Sequence, residues 1–167
     1  YGLAPQSKGS KFLFPEVKTV ITALKEAFQT LNFEYITFSG NGEPTLYPWF
    51  NEIVDEIAKM RDEMNPKVKI ALLSNATRLQ EIQPALKKID LPVLKLDAST
   101  PETFYSINQP AKGIVFEEIL EQLARLENIY IQTLFIDGTP SNTGEKELEM
   151  YFQHLKNIQP LKAHIYS

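Results

Sequence analysis

One layout recurs along this chain and restricts its fold more than any other feature: a short β-branched or aliphatic run, a polar bend, then an amphipathic helix. Strands are expected at Tyr35–Ser39, Val68–Leu73, Val93–Asp97, Ile129–Ile136 and Leu161–Tyr166, about every 25–36 residues. Phe14-Pro15-Glu16 opens a helix whose apolar residues Val17, Val20, Ile21, Leu24, Phe28 and Leu31 recur at helical spacing. Pro48 opens a second, with Phe50, Ile53, Val54, Ile57 and Met64 on its buried side, and Asn65-Pro66 stops it. Short helical turns over Leu79–Ile89 follow, then a helix start at Thr100-Pro101-Glu102 and a break at Asn108-Gln109-Pro110. Amphipathic helices are expected over Ile114–Leu126 and Glu145–Asn157, the latter through Leu148, Tyr151, Phe152 and Leu155. Such alternation argues for a parallel sheet with right-handed crossovers. The spacing is that of a βα unit of an α/β barrel, but five strands cannot close a barrel of the eight-stranded kind. The expected fold is therefore α/β, a partial and open (β/α) barrel of parallel strands, with all 167 residues in a single domain.

In folds of this kind ligands bind beyond the carboxyl ends of the strands, and here those ends are polar. After Tyr35–Ser39 the chain enters Gly40-Asn41-Gly42-Glu43-Pro44. Gly40 and Gly42 offer backbone conformations that a Cβ would forbid. Pro44 pushes Glu43 away from helical geometry, so a carboxylate is expected on a stiff loop; the same residues would also make a plain turn. The second strand ends at Ser74-Asn75-Ala76 and the third at Asp97-Ala98-Ser99.

A parallel strand covered on both sides should be apolar throughout, and several of these are not. Ile36 and Phe38 oppose Tyr35, Thr37 and Ser39; Leu94 and Leu96 oppose Val93, Lys95 and Asp97; Ala163 and Ile165 oppose Lys162, His164 and Tyr166. In the fourth strand Gln132 and Thr133 fall on opposite faces, with Gln132 taken as inward. One face should pack on helices. The other is read as a lumen for a polar ligand, because buried polar groups without partners are costly. A flat sheet with one face in solvent is the alternative.

Composition bounds the rest. Lys+Arg 17 against Asp+Glu 21 leaves a net charge of -4, which offers no global field for nucleic acid or an anionic membrane. No stretch approaches the roughly 18 apolar residues of a membrane span, and the opening residues do not read as a signal segment. Cysteine is absent, which removes disulfides, fits a cytoplasmic protein and excludes thiolate ligation of a metal or an iron–sulfur cluster by this chain. No phosphate-cradling P-loop run is present.

Taken singly, each motif has two readings. Glu43 can accept from a ligand ammonium or simply cap a helix. Ser74 and Asn75 can hold a ligand carboxylate or ribose, or form a turn. Lys95 and Asp97 can pair with each other or ground a ligand, and Lys95 can form a Schiff base if desolvation lowers its pKa. His164 reads as a core histidine more readily than as a catalyst, and His154 as solvated.

Four of these segments resemble the radical S-adenosylmethionine (SAM) superfamily. Gly40-Asn41-Gly42-Glu43-Pro44-Thr45-Leu46 is similar to its Gly-Gly-Glu-Pro segment, and Leu73-Ser74-Asn75-Ala76 to its Thr-Asn-Gly strand end. Lys95-Leu96-Asp97-Ala98 and Asn108-Gln109-Pro110 resemble the Ser-Leu-Asp-Ala and Asn-Arg-Pro segments of a branch of iron–sulfur oxidoreductases loosely related to wyosine-base synthesis enzymes. The resemblance implies a six-stranded partial barrel holding SAM and a [4Fe-4S] cluster. It places Gly40, Gly42, Glu43 and Pro44 around the methionine amine, Ser74 and Asn75 near the sugar or carboxylate, and Lys95, Asp97 and Ser99 toward the carboxylate or ribose. Gln132 and His164 join them on the polar face.

The family holds its cluster on three cysteines in a C-x-x-x-C-x-x-C loop after the first strand, and this chain has none. Tyr1-Gly2-Leu3 resembles the residues that follow the last of those cysteines. The expectation is that the first strand and the cluster loop lie upstream, and that this chain alone cannot reduce SAM. A Schiff-base aldolase-like barrel using Lys95 and a non-catalytic SAM- or ligand-binding module remain as alternatives.

Overall fold

The computed structural model describes residues 14–40 and 42–167. The expected loop over Tyr1–Ser10, the Tyr1-Gly2-Leu3 match and Asn41 lie outside the described residues.

The expected alternation is present. Helix α1 (Val17–Thr30) leads into β1 (Tyr35–Phe38), a 3-10 turn at Pro44–Leu46, α2 (Phe50–Met64) and β2 (Lys69–Ser74). Then come α3 (Gln83–Leu86), β3 (Leu91–Lys95), α4 (Pro101–Asn108), α5 (Phe116–Ala124), β4 (Tyr130–Leu134), α6 (Glu145–Ile158) and β5 (Lys162–Tyr166). The strands form one sheet in the order β1-β2-β3-β4-β5, every neighbouring pair parallel. This is an open α/β sheet, consistent with a partial barrel of βα units.

Local chemistry fixes the boundaries. Thr100 caps α4, accepting from the Thr103 N–H, with Pro101 at the first helical position. Gln109, in left-handed geometry, ends that helix. Helix α1 starts after Glu16 and α2 at Phe50, so Pro15 and Pro48 stand before their helices rather than within the first turn. Strand β3 runs two residues earlier than expected, which leaves Asp97 and Ser99 beyond its last paired residue.

The core lies between the sheet and its helices. Ile70, Leu72, Leu94 and Ile131 are sealed from solvent against Val54, Ile57, Phe116 and Leu123 of the helices. Burial of this kind contributes roughly 1.5–3 kcal/mol per large side chain. Thr133, also on this face, is held by the Leu96 carbonyl at 2.9 Å and the Tyr151 hydroxyl at 2.6 Å.

Several expected core residues are not covered. Leu31 is 63% exposed because it is the extended residue that ends α1 and no longer follows the helical face. Met64 sits in the last turn of α2 and is 41% exposed. Ile165 and Phe152 are 53% and 54% exposed. Ile165 lies in β5, the edge strand of the sheet, and Phe152 of α6 lines an open hollow with Lys162 and Ala163 of that strand.

Candidate functional site

Parallel pairing puts all five carboxyl ends on one edge of the sheet, and the register decides which side chains share a face. Lys95 pairs with Gln132, and Gln132 with His164, so the three form one row across β3, β4 and β5. Tyr35 and Thr37 share this face with Lys69, Ala71 and Leu73. The division into an apolar, helix-packed face and a polar one thus follows the alternation of the sequence. His164 is exposed and stacks near the Tyr130 ring, 6.1 Å between centroids, so it is not a core histidine.

Two clusters occupy the carboxyl edge. In the first, the Glu43 carboxylate ties β1 to β2. Its Oε1 accepts from the Thr45 N–H (3.1 Å), the Thr45 hydroxyl (2.6 Å) and the Ser74 hydroxyl (2.8 Å), and its Oε2 from the Asn75 N–H (2.7 Å). Glu43 is extended, as the following proline requires, and caps the 3-10 turn. Ser74 is buried in register with Leu94, on the helix-packed face. Its hydroxyl also accepts from the Ala76 N–H, so it serves the turn. Asn75 is exposed and its Oδ1 accepts from the Thr77 N–H and hydroxyl, an Asx turn. A Cβ on Gly40 or Gly42 would meet nothing within 4 Å. The space above both residues is open.

The second cluster surrounds Asp97, which is 6% exposed. Lys95 Nζ lies 3.0 Å from Asp97 Oδ2 and donates to the Tyr166 hydroxyl at 3.2 Å, spanning from β3 to β5. Asn108 Nδ2 donates to the same Oδ2 at 3.0 Å, and the Leu134 N–H donates to Oδ1 at 2.9 Å. Burial pulls the Lys95 pKa down, while the Asp97 carboxylate and the Tyr166 hydroxyl pull it up, and the balance is upward. A nucleophilic amine at neutral pH needs the opposite shift, so the ion pair argues against a Schiff-base role for Lys95.

Asn142 closes the loop after β4 over this cluster. It is 2% exposed, donates to the carbonyls of Asp97 (2.6 Å) and Leu134 (2.7 Å), and accepts from the Ile136 N–H (2.7 Å). Ser99 is buried on the helical side: its N–H donates to Glu147 Oε1 at 2.6 Å, and His154 Nε2 lies 2.9 Å from its carbonyl. His154 is therefore engaged rather than solvated, and it also meets the Phe116 ring edge-on.

Asn108, Asn142 and Tyr166 complete the edge. Asn108 lies at the helix break Asn108-Gln109-Pro110 and Tyr166 on the polar side of the last strand, and Asn142 sits in a polar loop with no periodicity. Two surface hollows, about 650 and 510 Å³, lie elsewhere, between α6 and β5 around Phe152 and Leu161 and beside α2 around Gln83 and Lys87. Neither touches the polar edge.

A sheet of parallel βα units with acid, amide and ammonium groups gathered at its carboxyl edge is the layout of a partial α/β barrel, a class of fold in which ligands bind at that edge. The radical SAM superfamily model matches residues 6–153, and the chain belongs to that superfamily. It is 31% identical over 152 residues to a UPF0026 protein of Helicobacter pylori, covering 86% of this chain and 47% of that protein. It is 27% identical over 143 residues to the S-adenosyl-L-methionine-dependent tRNA 4-demethylwyosine synthase of Arabidopsis thaliana, covering 85% of this chain and 21% of that one. The fold matches a crystal structure of archaeal TYW1 with a TM-score of 0.57 and 19% identity, over 92% of this chain and 58% of the other. The chain spans about half, or less, of the length of the first curated relatives it matches.

Proposed function

We propose that this chain is the core of a radical SAM enzyme whose S-adenosylmethionine site is the carboxyl edge of β1, β2 and β3. The carrying observation is the placement of Glu43 with Asn75 at one pair of strand ends and Lys95 with Asp97 at the next, on one edge of a parallel sheet. A cytoplasmic setting goes with this reading.

The residues suit S-adenosylmethionine. A carboxylate oxygen accepts more than the single bond that Asn75 gives Glu43 Oε2, so that oxygen has room for a ligand ammonium. The open space above Gly40 and Gly42 lets a ligand approach the backbone closely. Pro44, Thr45 and Ser74 hold the Glu43 carboxylate in place, and Asn75 adds an exposed amide. Asp97 fixes the Lys95 ammonium, which stays protonated and supplies positive charge for an anionic group such as a carboxylate. Gln132 and His164 extend the polar face toward the side on which a substrate would lie.

The chain does not suit the cluster. It has no cysteine, and among the described residues no three acids or histidines converge to hold a metal ion. The ligands of a [4Fe-4S] cluster would have to lie outside this chain. When both groups are bound, they supply a 5′-deoxyadenosyl radical for a substrate these residues do not identify.

The test is a longer product of the same gene, purified anaerobically with iron and sulfide. It should be brown and convert S-adenosylmethionine to 5′-deoxyadenosine under a reductant. A longer product that lacks cysteines and stays colourless would overturn the proposal.

A further inference from the structure

At the edge of the second cluster, one polar atom is left over. Asn108 is the last residue of α4, held there by the left-handed turn at Gln109. Its Nδ2 donates to Asp97 Oδ2 at 3.0 Å, the same oxygen that faces Lys95 Nζ. Its Oδ1 is closed off from solvent and has no hydrogen-bond partner. The amide cannot be reversed to cure this: that would set Oδ1 against the Asp97 carboxylate and leave two N–H donors unmade in its place. Buried amide oxygens are rarely left so. Beside it, Asp97, Lys95 and Tyr166 are engaged with one another, and the stranded acceptor can take a donor from outside the chain.

We infer that Asn108 is a ligand-reading residue: its Oδ1 accepts a hydrogen bond from a hydroxyl or amino group of the molecule bound at the carboxyl end of β3. The inference rests on the proposed S-adenosylmethionine site and adds a specific contact to it. Asp97 orients the amide, so the acceptor is set before the ligand arrives.

The experiment is equilibrium binding of S-adenosylmethionine and of four analogues, each lacking one donor: 2′-deoxy, 3′-deoxy, deamino and N6-dimethyl. These are measured on the wild-type chain, on Asn108→Ala and on the isosteric Asn108→Leu. One analogue should bind the wild type about 3- to 10-fold more weakly than S-adenosylmethionine and be indifferent to the substitutions, which weaken S-adenosylmethionine by a similar factor. Equal losses for all five ligands would mean a purely structural residue and overturn the inference alone. No binding to the wild type would overturn the proposed site and the inference together. If both variants fail to fold, the Asn108 side-chain amide resonances of the wild type decide. They should shift with S-adenosylmethionine and not with the analogue lacking the read donor; identical shifts with all ligands would overturn the inference.

Discussion

Glu43 and Asn75, 32 residues apart, meet where two strands end: the Glu43 Oε2 accepts from the Asn75 backbone N–H at 2.7 Å. This bond joins the bend after β1 to the bend after β2, and with the Thr45 and Ser74 contacts it makes the carboxylate a brace as well as a candidate ligand. Replacing it by an amide sets an NH2 group against one of those donors. Glu43→Gln should lower unfolding stability by about 1–3 kcal/mol, the cost of leaving a partly buried donor unmade. Chemical denaturation reads this directly, and Thr45→Val, which removes only one of the donors, should cost less.

Lys95 and Asp97 form a second brace with a different signature. Their side chains are 13% and 4% exposed, so removing one partner strands a buried charge. Asp97→Ala should destabilise by about 3–5 kcal/mol, and Lys95→Met, which removes the cation and leaves Asp97 its bonds from Asn108 and Leu134, should cost less. The pH dependence follows from the sign. The folded-state pKa of Lys95 is raised above 10.5, so its contribution is complete below that pH and is lost as pH rises through the folded value. A stability curve taken into the alkaline range should fall more steeply for the wild type than for Lys95→Met.

Asp90 supplies the acid limb. Burial raises its pKa, but the Ile70 N–H at 2.8 Å and the Arg61 guanidinium at 2.8 Å outweigh that and hold it below 3.8. A depressed carboxylate stabilises above its unfolded value and loses that contribution as pH falls through the folded one. Asp90→Asn should therefore flatten the acid side of the stability curve below about pH 4. Because Asp90 is partly exposed, solvent screening keeps the change to about 1 kcal/mol.

Much of this was legible in the sequence. Alternation within β3 and β5 assigned Lys95 and His164 to the polar face, Gln132 of β4 was taken as inward, and the ladder register puts the three in one row. The periodicity of α2 named Phe50, Ile53, Val54 and Ile57 of its buried face. Less legible were contacts made by tertiary placement. The polar loop after β4 carries no period, so nothing in it announces that Asn142 threads three backbone groups. Lys95 reaches Tyr166 across β4, a distance that strand alternation does not encode. Exposed Ile165 and Phe152 misled: amphipathic spacing tells which residues share a face, not whether anything covers it.

Asn142 makes a sharp test of that missed part of the edge. Asn142→Leu keeps the volume and removes three hydrogen bonds, leaving the Asp97 and Leu134 carbonyls and the Ile136 N–H without their partner. It should destabilise by more than about 2 kcal/mol, and hydrogen exchange should show the Ile136 amide opening before the amides of β4.

The most direct measurement of the central claim is a titration of the isotopically labelled chain with S-adenosylmethionine, followed by backbone and side-chain resonances. The account predicts that the largest shifts fall together on Gly40, Gly42, Glu43, Asn75, Lys95 and Asp97, at the carboxyl ends of β1, β2 and β3. Shifts confined to the hollow around Phe152 and Leu161, or none at saturating ligand, would contradict it.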